Sequence, residues 1–228
     1  MRRTYQSVAV EARDGAHVIL LDGKPALTPK KRPLALPTRA LAEAVADEWR
    51  EQAAKIDPKR MPLTRFANTA IDLADRCATI SRILEYSPTD LLLYRAEETA
   101  LAGRQANAWD PLLAWVQERF GLALTVSSGI TPVEQPAEAL DALRAIVEAY
   151  DAFALIALSL ATTITTSLIL ALAIADGRLS VGEAFALSQL DERYQADRWG
   201  SDRAAELRAQ ALADELQLVA DFLNLCRS

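Results

Sequence analysis

Histidine and cysteine are almost missing from this chain: its 228 residues include one histidine, His17, and two cysteines, Cys77 and Cys226. A Cys/His zinc site draws on several such ligands, so no metal site is expected. A Ser-His-Asp or Cys-His nucleophile would have to use His17. That residue lies in an apolar run beside a turn, with no partner acid or nucleophile evident, and reads as structural. Each cysteine reads as a core or helix-face thiol, and such sparse cysteine fits a reducing compartment. The glycine-rich loops that cradle phosphates and dinucleotides do not occur, nor do GxSxG or HExxH, so no cofactor is expected. Positive charge is in deficit too. Against 31 Asp and Glu stand 25 Lys and Arg, a formal charge of −6, which argues against a nucleic-acid partner. The N-terminal MRRTYQSVAVEARDG carries basic residues but no apolar core of signal-peptide length, so no targeting segment is expected.

What is present is ordinary globular material. About half the residues are apolar (51%) and a quarter charged (25%), which excludes wholesale disorder. A chain this long buries about 70% of its unfolded surface and needs no disulfide or metal to fold. The one stretch that invites a membrane reading is uncharged, from Ala152 to Ala175. Its centre, Thr162-Thr163-Ile164-Thr165-Thr166-Ser167, would put hydroxyls at the bilayer midplane. Asp151 and Asp176 bracket it where basic and aromatic anchors would be expected. It reads as a helix covered on every face by other helices, with its hydroxyls bonded to carbonyls one turn back, so no stable membrane insertion is expected.

The pattern predicts an α+β fold, a small β-rich N-terminal part followed by a larger all-helical part. Residues 1–36 read as β-rich, 37–130 as mixed and mainly helical, and 131–228 as all-helical. Thr4 to Ala12 and His17 to Leu21 read as strands, with turn signals at Arg13-Asp14-Gly15 and Asp22-Gly23. Thr38 is a plausible N-cap for a helix whose stripe is Leu41, Val45 and Trp49, which places the Trp49 ring towards the core. Helices follow over Pro62 to Ala74, Cys77 to Tyr86 and Arg104 to Phe120, the last stopped by Gly121. DLLLYR, from Asp90, reads as either a short strand or a helical turn. Leu122 to Val126 is a strand candidate and Gly129 to Pro136 a loop. Four helices complete the chain: Ala137 to Tyr150, the uncharged helix, Ser180 to Ala196, and Ser201 to Leu225. Ser180 and Glu183 have capping-box spacing.

Acid pairs such as Glu97-Glu98 and Asp191-Glu192 are capable of acid-base work, but a solvated helix surface is their ordinary reading. Leu190 to Asp202, LDERYQADRWGSD, is unusual because Tyr194 and Trp199 stand among dense charge. One reading packs Leu190, Tyr194 and Trp199 inward. The other makes the segment a protein-interface anchor. Leu190 and Tyr194, four apart, should share the buried side of a helix, with Glu192 pointing away.

Four stretches together carry a family resemblance: LDGKPALTPKKRPLALPTRALAEAVADEW (21–49), MPLTRFANTAID (61–72), DLLLYRA with WDPLLAW (90–96, 109–115), and SVGEAFALSQLDERYQADRWG (180–200). They run in order over nearly the whole chain, which resembles the assembly chaperones of the F-type ATP synthase that act on the alpha subunit of its catalytic head. The resemblance implies a non-enzymatic protein that holds the unassembled alpha subunit soluble until beta subunits replace it. Trp49, Arg65 and Asn68 match structural positions of the family motifs. Asp191, Glu192, Tyr194 and Trp199 match the segment assigned here to partner binding. The chain starts almost directly at the first strand, which fits a bacterial, cytoplasmic version. The competing reading is a cytoplasmic enzyme using Asp/Glu acid-base chemistry, which would need a deep pocket with convergent acids.

Overall fold

The computed structural model describes residues 2–73, 75–129 and 133–227. It is α+β, with short strands near the N-terminus and a larger helical part, as the pattern predicts. It divides into two compact units: Met1–Arg76, Asp151–Ala157 and Asp221–Ser228 form the first, and Cys77–Tyr150 with Leu158–Ala220 the second. Among the described residues no helix is long and apolar enough to cross a membrane.

In the first unit, β1 (Val8–Arg13) and β2 (Ala16–Leu21) form an antiparallel hairpin with Val8 opposite Leu21 and Arg13 opposite Ala16. Asp14 and Gly15 both take positive φ, 50° and 77°, the backbone a two-residue hairpin turn demands. Asp22 and Gly23 repeat that conformation before β3 (Lys24–Pro25). β2 also pairs with β4 (Ala35–Leu36), so it is the central strand, with Val18, Ile19 and Leu20 buried. The Thr38 side chain accepts from the Leu41 amide and starts α1 (Arg39–Arg50). The buried stripe of α1, Leu41, Ala42, Val45 and Ala46, packs on the sheet.

α2 (Pro62–Ile71) opens without a cap of its own. Glu48 of α1 supplies one, accepting from the amides of Leu63 (2.7 Å) and Thr64 (2.8 Å) and from the Thr64 hydroxyl (2.7 Å). Burial pushes the Glu48 carboxyl above its usual range, against the pull of these bonds. The basic turn Lys30-Lys31-Arg32 is tied to the other end of α2. The Lys30 amide and ammonium donate to Asp72, and Arg32 donates to the Ile71 carbonyl. The residue Ala74, where the sequence ended this helix, lies outside the described residues.

The second unit contains α3 (Arg76–Leu84, from Cys77), α4 (Thr99–Phe120), α5 (Ala137–Glu148) and α7 (Leu168–Ala175). It also holds α8 (Val181–Ser188), α9 (Leu190–Trp199), the later part of α6 (Ala152–Thr165) and most of α10 (Arg203–Leu225). DLLLYR is both things at once: a 3-10 turn over Leu91–Leu93, then β5 (Tyr94–Arg95). β5 pairs in parallel with β6 (Ser127–Ser128), so the strand lies just after Leu122–Val126, which forms none. Gly121 at φ 72° ends α4 as expected. Of the expected loop Gly129–Pro136, residues 130–132 lie outside the described residues.

Two expected helices are each a pair. The uncharged segment breaks between α6 and α7, where Thr166 takes φ 53° and Ser167 caps α7. The cause is Asp90, distant in sequence and 1% exposed. Its carboxylate accepts from the Ser167 hydroxyl (2.7 Å) and the Ile169 amide (3.0 Å), and locally from the Leu92 amide (3.1 Å). The hydroxyls of Thr162, Thr163 and Thr165 bond to carbonyls four residues back, at 2.8–2.9 Å, as the pattern predicts. Thr166 instead bonds to the adjacent Thr165 carbonyl and Ser167 to Asp90, and Thr163 and Thr166 are exposed, so the segment is not covered on every face. The expected Ser180–Ala196 helix breaks at Gln189 into α8, which begins with the full Ser180–Glu183 capping box, and α9.

Candidate partner-binding site

α9 carries the charge-dense segment, and its sequence alone is a poor amphipath. Its orientation is set by α4, whose inward face is Leu101, Gln105, Trp109, Leu112 and Val116. Trp109 donates its indole N–H to the Leu187 carbonyl (3.2 Å). Gln105, 2% exposed, donates to both carboxylate oxygens of Asp191 (2.8 and 3.1 Å) and accepts from the Ala96 amide (2.7 Å). Glu98, just before α4, accepts from the Tyr194 hydroxyl (2.6 Å) and pairs with Arg198. Arg104 pairs with Asp197 at 3.4 Å. Advancing along α4 therefore means retreating along α8 and α9, an antiparallel clamp. The Tyr194 hydroxyl is the leading cause holding the Glu98 carboxyl below its usual range, with Arg198 adding to it.

The clamp sorts the predicted site residues. Tyr194 is 5% exposed and Asp191 half-buried on the α4 side, whereas Glu192 is exposed and turned away. Trp199 does not pack inward: it is 70% exposed, with the Arg198 guanidinium 5.5 Å from its ring. The helix ends there, one residue before Gly200 at φ 86°, so no following turn covers the indole.

Two cavities adjoin α9 within the second unit. The first, 610 Å³, is lined by Tyr94, Arg95, Glu97, Gln105, Thr166 and Asp191 among others. The second, 470 Å³, shares Leu91, Thr166 and Asp191 with it and adds Glu192 and Arg208. They form one groove passing over the helix break at Thr166. The one sign of Gln105 in the sequence is a glutamine at a core position one turn before Trp109.

The remaining sequence-selected residues lie in the first unit. Trp49 is half-buried in a small cluster with Tyr5, Ile56 and Met61. Its ring lies 5.7 Å from that of Tyr5, and its carbonyl accepts the Tyr5 hydroxyl at 2.7 Å. The Arg65 guanidinium is exposed, 5.5 Å from the Phe66 ring. Asn68 is half-buried, its enclosed Oδ1 without a hydrogen-bond partner. Of the three, Trp49 packs within a buried cluster, Asn68 is half-buried on α2 and Arg65 faces solvent.

The chemistry of the second unit's acids is structural where it is most perturbed. Burial pushes the Asp90 carboxyl up to about 6, and its two oxygens accept from Ser167, Ile169 and Leu92. In the first unit, burial pushes the Cys226 thiol up to about 12, which leaves it unreactive near neutral pH. Among the described residues no group of three His, Cys, Asp or Glu is placed to hold a metal ion.

Residues 2–117 match the family described as ATP12 chaperone protein. The mitochondrial protein atp12 of Schizosaccharomyces pombe is 26% identical over 241 residues, covering 99% of this chain and 82% of that protein. The crystal structure of Atp12 from Paracoccus denitrificans is 42% identical and superposes with a TM-score of 0.94, covering 99% of this chain and 98% of the other. A lysine-substituted mutant of the Paracoccus protein superposes with a TM-score of 0.95 at 41% identity, over 99% of this chain and 97% of that one.

Proposed function

Since this chain belongs to the ATP12 chaperone family, we propose that it is a non-enzymatic assembly chaperone of the F-type ATP synthase that binds the unassembled alpha subunit. In this reading it keeps that subunit soluble in the cytoplasm until beta subunits displace it. Alpha and beta alternate around the catalytic head, so a lone alpha subunit exposes surface meant for beta, and exposed apolar patches associate wrongly. A partner that covers such a patch and is later displaced needs a modest, partly polar interface. Release by competition requires no nucleotide, in keeping with a sequence that carries no phosphate-binding loop.

The observation that supports this reading is the two-faced character of α9. Its inner face is fixed on α4 by Asp191, Tyr194, Asp197 and Arg198. That leaves Glu192 and Trp199 on the exposed side, an acid and a tryptophan, the latter a residue type enriched at interface hot spots. Tyr194 then serves the interface by fixing the helix that presents them. Glu192 makes no ion pair among the described residues, so reversing its sign breaks none. Glu192→Lys should therefore melt as wild type yet fail to keep the alpha subunit soluble on co-expression. A well-folded Glu192→Lys protein with full holding activity would remove this site, and failure of the wild type to hold the alpha subunit would remove the function.

A further inference from the structure

The groove beside α9 has a charge balance that names its occupant. Of the described residues lining the first cavity, the one cation is already committed. Arg95 is 9% exposed, donates to the Leu92 carbonyl and to Asp110 (both 2.6 Å), and lies over the Trp109 ring at 5.1 Å. The two carboxylates in the same cavity have no such partner. Glu97 is exposed and makes no ion pair among the described residues. Asp191 is held by the neutral amide of Gln105, which fixes its direction without cancelling its charge. Tyr94 brings an aromatic side chain to the lining, its hydroxyl donating to the Pro88 carbonyl (3.4 Å). Arg208 lines the second cavity only, so the excess of negative charge is concentrated in the first.

The backbone here does not offer a strand to extend. Gly129 donates to the Arg95 carbonyl, the Ala96 amide is taken by Gln105, and the Tyr94 amide by the Leu91 carbonyl. Recognition therefore falls to side chains. A volume of 610 Å³ is within the range that encloses a large side chain with its flanking backbone.

We propose that the first cavity receives a cationic side chain, arginine or lysine, from an extended segment of the protein client, seated against Tyr94 between Glu97 and Asp191. This rests on the reading of the α9 surface as the client-binding face, and assigns that face a specific pocket. The cation is drawn by two unneutralised carboxylates and by the ring face. The remainder of the segment follows the groove past Leu91 and Thr166 towards Glu192.

The test uses the intact protein in two arms. In the first, binding of the ATP synthase alpha subunit is titrated against wild type, Glu97→Gln and Glu97→Lys. Glu97 is exposed and outside every helix and strand, so both variants should fold. Affinity should fall about tenfold in Glu97→Lys and less in Glu97→Gln, with the wild-type affinity weakened by salt. Wild-type binding with an unchanged constant in Glu97→Lys overturns the pocket while leaving the chaperone function standing. The second arm needs no alpha subunit. The peptide acetyl-Val-Ala-Arg-Ala-Val-amide and its citrulline analogue are titrated into isotopically labelled protein. Saturable amide shifts at Ala96, Gly129 and Thr166 with the arginine peptide alone support the pocket, even if the alpha subunit proves not to be the client. Equal shifts with citrulline, or none at these positions, overturn it.

Discussion

Asp90→Asn isolates the group that breaks the uncharged helix, and its effect should depend on pH in a definite direction. The Asp90 carboxylate is enclosed, 1% exposed, and its two oxygens accept from the Ser167 hydroxyl and from the Ile169 and Leu92 amides. An asparagine keeps the shape but replaces one acceptor oxygen with an amide NH2, which faces an amide or hydroxyl donor. The unmatched donor costs about 1–3 kcal/mol, and near neutral pH the removal of a buried charge offsets part of that cost. Burial raises the Asp90 pKa from 3.8 to about 6, more than its hydrogen bonds lower it. A raised carboxyl pKa means the folded state holds its proton more tightly than the unfolded state. The stabilisation from that proton is complete below pH 3.8 and is lost as pH rises through about 6. The full effect is about 3 kcal/mol, of which about 2 should appear between roughly pH 4.5 and 7. Asparagine has no such proton, so the deficit of Asp90→Asn should grow by about 2 kcal/mol on acidification from pH 7 to pH 4.5. Urea unfolding of both proteins at the two pH values, followed by tryptophan fluorescence, measures it, and the difference cancels the titration of distant carboxyls. A deficit that stays constant or shrinks in acid would show that the hydrogen bonds outweigh burial and would refute the argument.

Trp49→Arg should destabilise the protein by about 2–4 kcal/mol, less than for a fully enclosed ring, because it empties the Tyr5–Ile56–Met61 cluster and leaves a cation there. A wild-type melting temperature for this variant would refute the packing role. Glu48→Gln should weaken the tertiary cap of α2 by about 1–2 kcal/mol, read as faster hydrogen exchange at Leu63 and Thr64. Unchanged exchange would show that α2 does not depend on it. Gln105→Leu conserves volume but strands the Ala96 amide and frees Asp191, and should cost about 1–3 kcal/mol in thermal unfolding while lowering client affinity. Loss of stability with client affinity intact would limit Gln105 to the fold.

Local chemistry was legible in the sequence because it acts over a few residues. Asp-Gly pairs specify the two hairpin turns, Thr38 and the Ser180–Glu183 box start helices, and Gly121 ends one, since each supplies a φ or a hydrogen bond that its immediate neighbours need. The outward direction of Glu192 follows in the same way from helical spacing against Leu190 and Tyr194. What tertiary structure alone decided was where those rules are overridden. An uncharged run from Ala152 to Ala175 has every local reason to be one helix, and Asp90, far away in the chain, trades its continuity at Thr166 for two hydrogen bonds. Asp191 and Glu192 are adjacent and chemically alike. Only the position of Gln105 on α4 makes one a strut and leaves the other facing solvent. Trp199 has the composition of a buried residue, yet α9 stops beneath it, and a side chain is buried only if some other element arrives to cover it.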